Sequence, residues 1–189
     1  ILLAKNKIGY QNLIKLVSLS FTDGYYYKPR IDHDILEEYS EGLICLSACL
    51  AGEVNKAILK DNMEEAKRVA QWHKNIFGED YYLELQNNGL PEQVMVNQKL
   101  ITLSRELNIP LVGTNDAHYL KKEDSYNHEI LLCIQTAKKM TDPDRMKFST
   151  DEFYIKSPEE MADYFSAVPE AIENTVKIAD KCNFEFEFG

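Results

Sequence analysis

The residues best placed to do chemistry are Asp116 and His118, at the end of the run Ile109-Pro110-Leu111-Val112-Gly113-Thr114-Asn115-Asp116-Ala117-His118-Tyr119. An apolar run with β-branched Ile109, Val112 and Thr114 reads as a buried strand. In extended backbone, residues i and i+2 point to one side, so the carboxylate and the imidazole project together just past the strand's C-terminal end. That is where α/β folds gather their active groups. An acid and an imidazole aimed at one point suit a borderline cation such as Zn²⁺ or Mn²⁺. The bland alternative is a solvated loop with an Asx-turn.

Two other residues join the list. Cys49 follows a second apolar run, Gly42-Leu43-Ile44-Cys45-Leu46-Ser47, much as Asp116 follows the first. Past a strand end it reads as a thiolate ligand, and otherwise as inert core. Arg30 lies in an aromatic and basic patch, Tyr25-Tyr26-Tyr27-Lys28-Pro29-Arg30-Ile31-Asp32-His33. It fits either a bidentate phosphate clamp or a surface pair with Asp32 or Asp34. His73 reads as solvated, His128 as a structural histidine, and Glu53 as a helix-start carboxylate.

These groups need a frame, and periodicity supplies one. Helical spacing marks Tyr10–Leu19, Ile35–Tyr39, Met63–Ile76, Glu92–Leu107, Lys122–Lys138 and Pro169–Cys182. Ser157-Pro158-Glu159-Glu160 combines an N-cap, an N1 proline and first-turn acids, which start a further helix. Asp80–Gln86 alternates as a third strand, Phe153–Lys156 reads as an edge strand, and Phe184–Phe188 alternates like a strand cut short. Strand, helix, strand, helix, strand implies a parallel α/β sheet with right-handed crossovers. The chain also starts without a methionine, inside what looks like an element, and is expected to be a segment of a longer protein.

Composition limits the functions. The 189 residues suffice for one sizeable domain, and 44% hydrophobic with 28% charged residues is ordinary for a folded protein. A net charge of -10 argues against this surface being a primary nucleic-acid grip, so DNA, if involved, is held by other domains. Four scattered cysteines, Cys45, Cys49, Cys133 and Cys182, suggest a reducing, cytoplasmic setting. No apolar run approaches membrane-spanning length.

Read together, Gly9-Tyr10-Gln11-Asn12-Leu13, Tyr26-Tyr27-Lys28-Pro29-Arg30-Ile31-Asp32, Leu46-Ser47-Ala48-Cys49-Leu50-Ala51-Gly52-Glu53, Tyr82-Leu83-Glu84-Leu85-Gln86, Thr114-Asn115-Asp116-Ala117-His118-Tyr119 and Leu131-Leu132-Cys133-Ile134-Gln135-Thr136 resemble one family. It is the polymerase and histidinol phosphatase (PHP) domain family, as found at the N-terminus of bacterial replicative DNA polymerase III alpha subunits. Phe148–Tyr154 and Ala171–Thr175 resemble the stretch leading from that domain toward the polymerase palm.

The resemblance implies a partial, distorted TIM-like barrel lacking its N-terminal strands. Residues 1–120 would be the C-terminal part of the PHP domain and 121–189 a mainly helical extension toward the palm. It implies metal ligands at Cys49, Asp116 and His118, with Zn²⁺ or Mn²⁺ bound, an opening H-x-H pair and middle ligands lying upstream, and Arg30 as a phosphate clamp. The implied function is metal-dependent phosphoester hydrolysis, in proofreading or pyrophosphate removal, within a DNA-directed DNA polymerase that uses Mg²⁺ for nucleotidyl transfer. The alternative is a non-catalytic scaffold that stabilises the polymerase core or docks a proofreading exonuclease. Implied partners are the rest of the alpha subunit, an exonuclease subunit and a sliding clamp.

Overall fold

The computed structural model describes residues 1–189. The chain runs β1 (Leu2–Ala4), α1 (Lys7–Thr22), α2 (His33–Glu38), β2 (Leu43–Leu46), α3 (Glu53–Leu59), α4 (Met63–Phe77), β3 (Tyr81–Gln86), α5 (Pro91–Leu107), β4 (Leu111–Thr114), α6 (Ser125–Gln135), α7 (Pro158–Tyr164) and α8 (Glu170–Lys181). The helices begin where side chains can satisfy their first free N–H groups. The Asn6 carboxamide accepts from Gly9 N, Asn62 from Glu65 N, and Ser157 and Glu160 form a reciprocal capping box. Asn108 ends α5 in the left-handed conformation at φ 51°.

The strands lie in the order β1-β2-β3-β4. β2, β3 and β4 are parallel, with Cys45 opposite Tyr81, Leu46 opposite Tyr82, and Leu83 to Gln86 opposite Leu111 to Thr114. β1 runs antiparallel to β2, a correction to the all-parallel expectation. It is three residues long and is joined to β2 through α1 and α2.

Period-2 alternation sorts the strand side chains into two cores. Cys45, Tyr81, Leu83, Leu85 and Leu111 join residues of α1, α3, α4 and α5 in the larger one, while Ile44, Leu46, Tyr82 and Val112 meet Ile178 of α8 on the other face. Both faces are therefore covered, which is why β2 and β4 read as largely apolar runs, while β3 also buries the polar Glu84 and Gln86. α8 also seals the β4 edge, with Asn174 Nδ2 donating to Leu111 O at 2.7 Å.

Three expected elements differ. The helix predicted over 122–138 starts as a 3-10 turn at Lys122–Asp124 and is α-helical only over Ser125–Gln135. Phe153–Lys156 is no strand beyond a single bridge between Tyr154 and Tyr119, because the Asn115 side chain takes the place of a strand partner. Phe184–Phe188 is irregular: with no neighbouring strand, Phe184 and Phe186 pack their rings on Tyr10, at 4.5 and 5.3 Å.

Candidate metal centre at the strand ends

Beyond Thr114 the chain leaves β4 and turns sharply. Asp116 adopts φ 51°, a conformation that costs a non-glycine residue free energy and must be imposed by its surroundings. The surroundings are visible. Asn115 Nδ2 donates to Tyr154 O at 2.6 Å, Asn115 Oδ1 accepts from Lys156 N at 2.8 Å, and His118 N donates to Phe153 O at 2.7 Å. From below, the fully buried Asn88 carboxamide donates to both Asn115 O and Glu152 O. Residues 115–119 are thus clamped between the end of β3 and the 152–156 segment.

The turn brings Asp116 Oδ1 and His118 Nε2 to 3.5 Å, with both side chains still partly open to solvent. The His118 ring is bounded by Phe148 at 4.9 Å, Phe153 at 5.4 Å and His128 at 5.8 Å. Burial, and then the charge of His118, hold the His128 imidazole below its ordinary value. A cavity of about 420 Å³ opens beside this group, lined in part by Tyr119, His128, Glu129 and Phe148.

The same sheet edge is rich in acceptors. Glu84 is buried on β3, where its carboxylate accepts from Ala48 N, Gln86 Nε2 and Thr114 Oγ1. Asn55 Oδ1 and Gln86 Oε1 are buried with no hydrogen-bond partner. The Asp116 carboxylate and the His118 imidazole make a donor pair that suits a cation and would repel an anion.

Cys49 is a free thiol of intermediate exposure, set by a second strained residue, Ala48 at φ 64°. Its sulfur, Asp116 and His118 do not form a group whose ligand atoms all lie within 4.8 Å. The sheet register gives the reason. β2 ends opposite Tyr82 whereas β4 ends opposite Gln86, so the two loops leave the sheet at staggered heights with β3 between them.

Arg30 lies in the connection between α1 and α2, its guanidinium 4.8 Å over the Tyr26 ring and its Nε 3.4 Å from Gly24 O. It pairs with neither Asp32 nor Asp34; the Asp32 side chain instead caps α2. A compact group of three side chains of metal-ligating type lies elsewhere, at His33, Glu53 and His73. These come from three separate helices, so no spacing in the sequence announces them, and His73 is half-buried rather than solvated. His128 beside His118 was equally hidden, since its position on α6 is that of an ordinary packing residue.

Comparison with known proteins fits this frame. Residues 1–88, from β1 through β3 and including Cys49, match the PHP domain model. Beyond the PHP match, similarity extends over nearly the whole chain to DNA polymerase III subunit alpha. The sequence is 53% identical to that of Borreliella burgdorferi over 97% of this chain, 50% identical to that of Campylobacter jejuni over 100%, and 45% identical to that of Thermus aquaticus over 100%. The chain spans about 16% of the length of each of these relatives. The chain has no helix long and apolar enough to cross a membrane.

Proposed function

We propose that this chain is the PHP region of a cytoplasmic, bacterial replicative DNA polymerase alpha subunit, and that Asp116, His118 and Cys49 contribute to a metal centre that hydrolyses a phosphoester. The observation carrying the reading is the Asp116–His118 pair, 3.5 Å apart past the C-terminal end of β4 on a backbone held at positive φ. Similarity to polymerase alpha subunits across the chain supports the setting. The sheet would form part of a distorted TIM-like barrel, with residues 1–120 in the PHP domain and 121–189 leading toward the palm.

Each residue has a part. Asp116 offers a carboxylate oxygen and His118 a ring nitrogen, while the 152–156 clamp holds both in place. Cys49 supplies a thiolate once its loop approaches the pair. A bound Zn²⁺ or Mn²⁺ would lower the pKa of a coordinated water and offset charge on phosphoryl oxygens. Arg30, whose guanidinium has no carboxylate partner, serves as a phosphate clamp. Nucleotide transfer, with Mg²⁺, and the grip on DNA belong to other parts of the polymerase, as the charge of -10 suggests. A proofreading exonuclease and a sliding clamp would meet the whole subunit.

The separation of Cys49 from the pair favours a second reading, a PHP scaffold that supports the polymerase core or docks an exonuclease without catalysis. One experiment separates the two: metal-dependent phosphodiester hydrolysis by the intact subunit and its Asp116→Ala variant, with polymerase activity as the folding control. The catalytic reading predicts a loss of at least about tenfold in hydrolysis with polymerase activity kept. Equal hydrolysis, or none in either protein, would leave only the scaffold.

A further inference from the structure

We propose that His33, Glu53 and His73 form a second divalent-cation site, of the zinc type, independent of the strand-end centre. His33 opens α2, Glu53 opens α3 and His73 lies in α4. One ligand atom from each lies within 4.8 Å of the other two, and His33 Nε2 is already 2.9 Å from Glu53 Oε2. Around a tetrahedral zinc, with bonds of about 2.0–2.2 Å, ligand atoms sit roughly 3.4 Å apart, so a small rotation of the two more exposed side chains closes the set. Two imidazoles and one carboxylate, with a fourth position open to solvent, is a donor set that zinc takes readily and magnesium does not.

The supporting shell is in place. His73 Nδ1 lies 3.0 Å from Val69 O, and donating there fixes the tautomer that leaves Nε2 free to bind a metal. The His73 ring stacks on Tyr81 at 5.2 Å, and the His33 ring stacks on Trp72 at 4.0 Å. The stacking confines both rings to small rotations. A cavity of about 410 Å³ beside His33 and Glu53 gives an entry path.

Trp72 is the sole tryptophan of the chain, so the site carries its own reporter. Cobalt(II), a paramagnetic stand-in for zinc, is titrated into the full chain while tryptophan emission is followed, with Zn²⁺ as competitor. The site predicts saturable quenching with one equivalent, reversed by Zn²⁺. Glu53→Gln, and His33→Phe, which keeps the stack on Trp72, should each weaken it at least tenfold. Asp116→Asn should leave it unchanged, which separates this site from the strand-end centre. Glu53 is exposed at a helix start, so its variant folds whatever becomes of His33→Phe. Quenching equal to wild type in Glu53→Gln, absent in wild type, or lost in Asp116→Asn would overturn the proposal.

Discussion

Asn115 grips the Tyr154–Lys156 backbone with both ends of its carboxamide, donating to Tyr154 O at 2.6 Å and accepting from Lys156 N at 2.8 Å. The residue that precedes Asp116 is thereby the joint between β4 and the following segment. Asn115→Ala removes both bonds and leaves backbone groups unpaired. We expect a loss of roughly 2–3 kcal/mol in urea unfolding, where a polar surface substitution would cost far less. A change under about 0.5 kcal/mol would show that the clamp does not hold the turn.

Gly113 sets how closely the C-terminal segment meets β4. A Cβ there would lie 2.9 Å from Phe165 Cδ2 and 3.2 Å from Ile172 Cδ1. Gly113→Ala should therefore cost about 1–3 kcal/mol by overpacking. The double variant Gly113→Ala, Phe165→Leu should recover part of that loss in thermal unfolding. Additive losses would contradict the stated contact.

Asp80 ties three distant parts of the chain together. It is buried just before β3 and pairs with Lys5 after β1 and, at 2.8 Å, with Lys181 at the end of α8. Burial alone would raise its pKa, but the hydrogen bonds and charges of Lys181 and Lys5 outweigh it and hold the carboxyl below its ordinary 3.8. A depressed folded pKa contributes stability that is full above about pH 4 and lost as pH falls through the folded value. Asp80→Asn should destabilise by roughly 1–2 kcal/mol at pH 7. The gap from wild type should narrow below pH 4, and a gap that is constant with pH would contradict the ion-pair account.

His128 titrates in the opposite part of the scale. Burial, then the charge of His118, lowers its pKa from the ordinary 6.5, so the folded state resists its protonation. Its contribution is full above pH 6.5 and lost as pH falls from there through the folded value. His128→Leu should flatten the stability profile over that window. An unchanged slope would mean that the ring titrates as it does unfolded.

The frame was largely legible because buried parallel strands and amphipathic helices write their periods into the chain. Leu43–Leu46, Tyr81–Gln86 and Leu111–Thr114 each carry a continuous buried run. Ser157 and Pro158 marked α7 by capping chemistry alone. Asp116 and His118 were legible as neighbours past a strand end, but the turn at Asp116, at φ 51°, brings them together rather than the extended i and i+2 geometry that the sequence suggested. What no local pattern encodes is assembly across elements. The stagger that keeps Cys49 from the pair is a property of sheet register, and His33, Glu53 and His73 meet only because α2, α3 and α4 pack together. Phe153–Lys156 looked like a strand by composition, yet a side chain from a loop took the place of its partner.

The most direct measurement is anomalous diffraction from crystals of the intact polymerase subunit grown with Mn²⁺ or Zn²⁺. The account predicts a peak at bonding distance, about 2.0–2.2 Å, from both an Asp116 carboxylate oxygen and His118 Nε2. Density showing those two groups bonded only to each other and to water, with the metal absent or held elsewhere, would contradict it.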